Sequence, residues 1–229
     1  MRERIAAAAG LAGLALLVRN LYVIFGTLPD EAAQGAIYRI LFIHAPAAIA
    51  GGLAVFAALI ASILYLTRRD LNYDAAAASL TEVGLVFGLV NIATGMIWAR
   101  IIWGIWWTWD PRLTSMFISC LLYASYLILR QAIDERSQRA RLSAVLNIFS
   151  FPAVVITWKS IEWWRTQHPA PVLSFRTGGE RRMDPAMESA LLWNMLAFLL
   201  IAAVMAFVRT RQEERRREIE TLRRSAHAF

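Results

Sequence analysis

Six runs of apolar residues divide this chain, each approaching or reaching the roughly 20 residues that a helix needs to cross a bilayer. They cover residues 5–26, 38–66, 75–98, 113–130, 142–158 and 186–208. The hydrocarbon core offers no partner to a backbone N–H or C=O, so a spanning segment must satisfy its own hydrogen bonds as a helix or join a closed barrel. Runs of this length are too long for barrel strands. The pattern predicts an all-α integral membrane protein with six transmembrane helices. Arg19 and Asn20 interrupt the first run, and Arg2 and Arg4 before it give it the outline of a signal peptide; it is read as a retained helix. The second run contains Pro46, Gly51 and Gly52, which predicts either a kink or a first turn that extends past the bilayer.

Arginine placement sets the expected orientation. Arg2, Arg4, Arg68, Arg69, Arg130, Arg136, Arg139, Arg141 and the arginines from Arg209 onward fall on one side, which the positive-inside rule makes cytoplasmic. Both termini are then cytoplasmic. Residues 1–208 form the six-helix domain and 209–229 a charged cytoplasmic tail. In that tail Glu213 and Arg217, and Glu220 and Arg224, stand four apart, as in a solvated helix. The net charge of +7 marks a membrane surface and its anionic lipids; no nucleic acid is implied. The outer side still carries Arg39, Arg100, Arg112, Lys159, Arg165, Arg176, Arg181 and Arg182. Positive charge on that face opposes the topology, so an anionic ligand is expected there.

Between the third and fourth runs lies the segment Trp98-Ala-Arg100-Ile-Ile-Trp103-Gly104-Ile-Trp106-Trp107-Thr-Trp109-Asp110-Pro111-Arg112-Leu-Thr114. It holds five of the nine tryptophans. A membrane belt scatters tryptophans singly at helix ends and does not account for five in twelve residues. Flat aromatic faces beside an arginine suit a large planar anion such as haem. Trp98, Trp103, Trp107 and Trp109 are assigned to an apolar platform for the porphyrin. Arg112 and Arg39 are candidates for its propionates, with Arg100 and Arg165 also available. Gly104 permits a close backbone approach or a tight bend. Asp110 followed by Pro111 is a favoured helix start, and Asp110 is also counted among the haem-binding candidates.

Of three histidines, His227 falls in the tail. His44, near the start of the second helix, and His168, between helices five and six, fall on the tryptophan side. Imidazole is a common axial ligand of haem iron, and these two come from different elements, able to close on opposite faces of one porphyrin. Cys120 is the sole cysteine, so there is neither an internal disulfide nor a Cys-x-x-Cys-His attachment, and any haem is held without thioether bonds. Arg19 and Glu82 lie within apolar runs and either pair or reach toward an interface. No phosphate-binding Gly-rich loop ending in Lys-Ser or Lys-Thr occurs, no zinc-ligand spacing, and no nucleophile–base pair.

Residues 103–114 resemble the tryptophan-rich WWD motif of bacterial haem-handling proteins. That segment alone would admit the larger relatives CcmF and CcsA. The short chain, six runs, Phe42-Ile-His44-Ala-Pro46 and Ile161-Glu-Trp-Trp-Arg-Thr-Gln-His168 resemble the haem exporter protein C family, CcmC, of cytochrome c maturation. The resemblance spans nearly all of residues 20–208. It implies non-covalent haem b at the periplasmic face, with His44 and His168 as iron ligands. The WWD loop (about 98–114) and a second histidine loop (about 159–185) would surround it, and the haem would pass to the periplasmic haem chaperone CcmE. It also implies an ABC transporter complex with CcmA, CcmB and CcmD, CcmA being the ATPase. The chain then acts as a ligase-like loading platform. The alternative is a permease subunit that moves haem or another anion across the membrane. A structural subunit with a tryptophan belt and an electron-transfer cytochrome are further readings.

Overall fold

The computed structural model describes residues 1–169 and 183–226, with side chains through Arg223. His227, Arg176, Arg181 and Arg182 lie outside the described residues, as does the side chain of Arg224. The chain forms α1 (Arg2–Gly26), a short 3-10 helix (Ala36–Ile40), α2 (Leu41–Arg68), α3 (Leu71–Trp103), α4 (Pro111–Ala132), α5 (Arg136–Trp163) and α6 (Pro185–Ala226). No strand occurs among the described residues. All six helices are long and apolar enough to cross a membrane, as expected.

Each helix runs past its apolar run, because hydropathy marks where lipid ends and capping marks where the helix ends. The Asp70 side chain accepts from Asn72 N–H at 2.9 Å and opens α3. That helix continues to Trp103 and stops where Gly104 takes φ +75°, a left-handed conformation that favours glycine. No atom lies within 4 Å of a Cβ placed on Gly104, so the tight bend, and not a close approach, accounts for the glycine. Asp110 caps α4 and Pro111 occupies its first position, as the sequence predicts. The connection of about 98–114 therefore narrows to residues 104–110, and Trp98 and Trp103 stand on the last turns of α3. Likewise Lys159 and Trp163 belong to α5, not to a loop.

α2 and α3 lie at the centre of the bundle, with α1 and α6 packed on one side and α4 and α5 on the other. Their shared core is small-residue rich: Ala47, Ala50, Ala54 and Val83 meet Phe87, Phe198 and Ala202. Small side chains let membrane helices approach closely where no hydrophobic driving force exists between them. Many larger apolar side chains, including Leu14, Phe56, Leu89 and Phe149, face outward, as a lipid-facing surface requires. In α2, Pro46 lacks the N–H that would bond Phe42 O four residues earlier. Asn194 of α6 supplies the missing donor to that carbonyl, so a helix defect is met by a cross-helix bond.

The end of the bundle away from the tryptophans is held by charge. α6 has 42 residues, about 63 Å at 1.5 Å per residue, roughly twice the hydrocarbon thickness. Its second half leans on the other helices. Arg209 makes two bonds to Glu82 at 2.5 and 2.9 Å. Asp74, 4% exposed, accepts from Arg130 at 2.5 and 3.1 Å and from Arg217 at 3.3 Å. Of the two alternatives for Glu82 and Arg19, mutual pairing is excluded: Glu82 pairs with Arg209, and the Arg19 guanidinium donates to Asn20 Oδ1 at 3.1 Å. Glu213 and Arg217 find ion-pair partners on other helices, Arg130 and Asp74, so they do more than stabilise their own helix.

Candidate functional site

α3 carries Asn91, Thr94, Gly95 and Trp98 at i, i+3, i+4 and i+7, which places them on one face, and His44 of α2 packs into it. A Cβ on Gly95 would stand 3.0 Å from His44 Cε1, so the ring occupies the space a side chain would take. His44 Nδ1 lies 3.0 Å from Thr94 Oγ1. The Thr94 hydroxyl hydrogen is directed to Val90 O at 2.8 Å, leaving its oxygen to accept from Nδ1–H. That arrangement puts the proton on Nδ1 and makes Nε2 the ring's lone-pair nitrogen. Asn91 Nδ2 donates to His44 O at 3.1 Å and lies 3.2 and 3.3 Å from the two ring nitrogens. The Trp98 ring meets His44 edge-on at 5.9 Å and 84°. Its indole N–H donates to Gln34 Oε1 at 2.8 Å.

His168 arrives from the segment after α5. Its Nδ1 lies 2.8 Å from Pro169 O; a carbonyl can only accept, so Nδ1 carries the proton and Nε2 is the lone-pair nitrogen. Burial, and next to it the Arg112 charge, push the His168 pKa down to about 4, which keeps the ring neutral at neutral pH. The two ring centroids are 6.2 Å apart with planes inclined by 31°. Residues 124 positions apart in sequence thus form one pair at one end of the bundle.

Beneath and beside this pair runs a cavity of about 240 Å³ between α2, α3, α4 and α5. Packed interiors leave few voids larger than one water, so a space of this size is a built feature. Trp98, Trp103, Trp107, Arg112, Met116 and Tyr123 line it with both histidines. Among the described residues the buried Trp107 indole nitrogen and Tyr123 hydroxyl have no partner, leaving an N–H and an O–H for something that enters. Arg112 donates to Thr157 O at 2.7 Å through Nη1, and its guanidinium lies 5.9 Å from the Trp158 ring centroid.

Not every residue expected at the site reaches it. Arg39 is absent from the lining among the described residues. It bonds Ile24 O at 2.9 Å, Leu28 O at 2.8 Å and the Asp30 carboxylate, closing the α1–α2 connection. Trp109 is 72% exposed and meets Trp107 and Phe117 edge-on at 5.7 and 6.2 Å; it buttresses the wall from outside. Asp110 is also off the lining, with both carboxylate oxygens bonded to the protein. Sequence reading missed Asn91, Thr94, Gly95, Gln34 and Thr166. The first two carried a signal: polar residues spaced three apart inside an apolar span ask for a partner.

These features define a polytopic helical membrane protein with two neighbouring imidazoles beside an aromatic-walled cavity at one end. The chain matches the Heme exporter protein C family over residues 1–225. It is 34% identical to Heme exporter protein C of Escherichia coli strain K12 over 188 residues, covering 82% of this chain and 74% of the relative. Identity to Heme exporter protein C of Paracoccus denitrificans is 33% over 195 residues, 85% and 80% of the two chains. To the protein of that name from Bradyrhizobium diazoefficiens it is 35% over 195 residues, 85% and 73%. The chain belongs to the Heme exporter protein C family.

Proposed function

We propose that this protein handles haem for cytochrome c maturation, binding haem b between His44 and His168 and delivering it to the periplasmic chaperone CcmE. The observation that carries the reading is the 6.2 Å between the imidazole centroids. An imidazole nitrogen binds a metal at about 2.0–2.1 Å, and about 1.2 Å separates that nitrogen from its ring centroid, so two imidazoles across one metal hold their centroids about 6.4 Å apart. Both rings have Nδ1–H engaged by an oxygen, which leaves Nε2 unprotonated, the state a ligand nitrogen needs; at His44, Asn91 Nδ2 stands 3.2 Å from that nitrogen and must yield it to the iron. Among the described residues no group of three His, Cys, Asp or Glu is poised for a metal. Two imidazoles suffice for an iron that brings four porphyrin nitrogens of its own.

The other residues follow from that placement. Trp98, Trp103 and Trp107 bound the ring's edge and face and exclude water. Arg112 and the unpartnered Trp107 N–H are the donors available to propionates; Arg39 is already committed elsewhere. Bound haem supplies iron and a porphyrin whose peripheral chemistry belongs to the receiving protein. The chain is a loading platform, and ATP hydrolysis falls to CcmA, with CcmB and CcmD completing the complex. The site faces the periplasm from the bacterial inner membrane, both termini being cytoplasmic.

Visible spectra of the detergent-purified protein, oxidised and reduced, test this reading. The wild type is expected to show low-spin haem b, and His44→Ala and His168→Ala to lose that low-spin signature. A protein that stays colourless after added haem, or single variants that keep an unchanged spectrum, would overturn it.

A further inference from the structure

We propose that Asp110 is a positioning residue that latches the His168 segment onto the start of α4, and does not itself contact haem. The inference rests on the haem reading above. Asp110 Oδ1 accepts from Leu113 N–H at 2.8 Å and caps α4. Its Oδ2 accepts from Thr166 Oγ1–H at 2.7 Å and from Gln167 N–H at 3.1 Å. Thr166 Oγ1 in turn accepts from His168 N–H at 3.1 Å. An unbroken chain of hydrogen bonds thus runs from the first turn of α4 to the backbone of the second imidazole.

Both carboxylate oxygens are occupied by the protein, which is why this side chain is absent from the cavity wall. Bonds to an ionised acceptor are about twice as strong as neutral ones. One carboxylate therefore does two jobs: it starts α4 and fixes a segment 56 residues further along the chain. Two residues on, Arg112 bonds Thr157 O of α5 at 2.7 Å, so the first turn of α4 is itself anchored and the latch has a rigid base.

The two imidazoles are consequently held in different ways. His44 is part of a continuous helix and is seated on the Asn91–Trp98 face of α3. His168 depends on the latch. Of the two histidines, His168 is the one outside a helix, and Asp110 with Thr166 sets where it stands.

Asparagine caps a helix about as well as aspartate but replaces one carboxylate oxygen with an NH2 group that cannot accept from Gln167 N–H. Asp110→Asn thus separates the latch from the cap. Thr166→Val removes the link on the other side, and Thr166→Ser keeps it. Two measurements are made on the full-length protein in detergent. Hydrogen exchange at the Gln167 and His168 amides reads the latch without haem; Asp110→Asn and Thr166→Val should exchange roughly tenfold to a hundredfold faster than wild type, with Thr166→Ser close to wild type. With haem added, the first two should shift to a high-spin spectrum with His44 alone on iron, and free imidazole should restore the low-spin form. Unchanged exchange, or a fully low-spin spectrum in both variants, overturns the latch. Failure of the wild type to take up haem overturns the haem reading, while the exchange result still decides the latch.

Discussion

Thr94→Val removes the one oxygen that accepts from His44 Nδ1–H at 3.0 Å while keeping the shape of the side chain. No other acceptor replaces it on that face, because Asn91 Nδ2, 3.3 Å from Nδ1, is a donor. The ring then favours the opposite tautomer, with the proton on Nε2 and Nδ1 accepting from Asn91. Binding iron through Nε2 requires that proton to return to Nδ1, where it has no partner. A buried donor left unsatisfied costs about 1–3 kcal/mol, which corresponds to roughly five- to 150-fold in affinity. This agrees with the roughly 10–100-fold found when an outer-shell partner of a ligating histidine is removed. The assay is a haem titration of the apoprotein followed by its absorption spectrum, with Thr94→Ser as the control that restores the oxygen. The midpoint potential should also rise in the valine variant, since a less basic imidazole favours ferrous iron. Binding within twofold of wild type in Thr94→Val, or a serine variant as impaired as valine, would refute the reasoning.

Three further outcomes follow from the geometry. Trp107→Phe keeps a ring in the wall but removes its unpartnered N–H; a lost hydrogen bond of about 0.5–1.5 kcal/mol should weaken haem binding roughly two- to tenfold in the same titration, while Trp109→Phe, outside the lining, should stay near wild type. Asn194→Leu should lower the thermal stability of the apoprotein by about 1–3 kcal/mol by leaving Phe42 O unpaired, and Pro46→Ala should recover most of it by restoring the helix N–H; a double variant no more stable than Asn194→Leu alone would contradict this. His168 has a pKa of about 4 when folded against about 6.5 unfolded, so between these values the unfolded chain binds more protons and folding weakens as the pH falls. The stability of the wild-type apoprotein relative to His168→Asn should therefore be constant above pH 6.5 and drop from there toward pH 4; a difference that is flat across that range would mean the ring is not held neutral.

Local chemistry determined a good deal of this protein. Hydropathy runs of bilayer length carried the six helices, because in lipid a backbone can satisfy itself only locally. Asp110 followed by Pro111 announced the start of α4, because caps depend on a few adjacent residues, whereas the run ending at 98 stopped short of where α3 ends at Gly104. Counting spans from either end placed His44, His168 and the tryptophan cluster on one side. Partner choice was another matter. That Arg39 is spent on the carbonyls of Ile24 and Leu28, that Glu82 meets Arg209 127 residues away, and that Thr94 faces His44 depend on helix rotation and depth. Those are set by how small residues let α2, α3 and α6 approach one another. Asp110 shows both levels in one side chain. Its first oxygen caps the helix that its own neighbours begin, and was legible from them. Its second oxygen bonds Thr166 and Gln167, and only the folding of α5 against α4 brought those donors within reach.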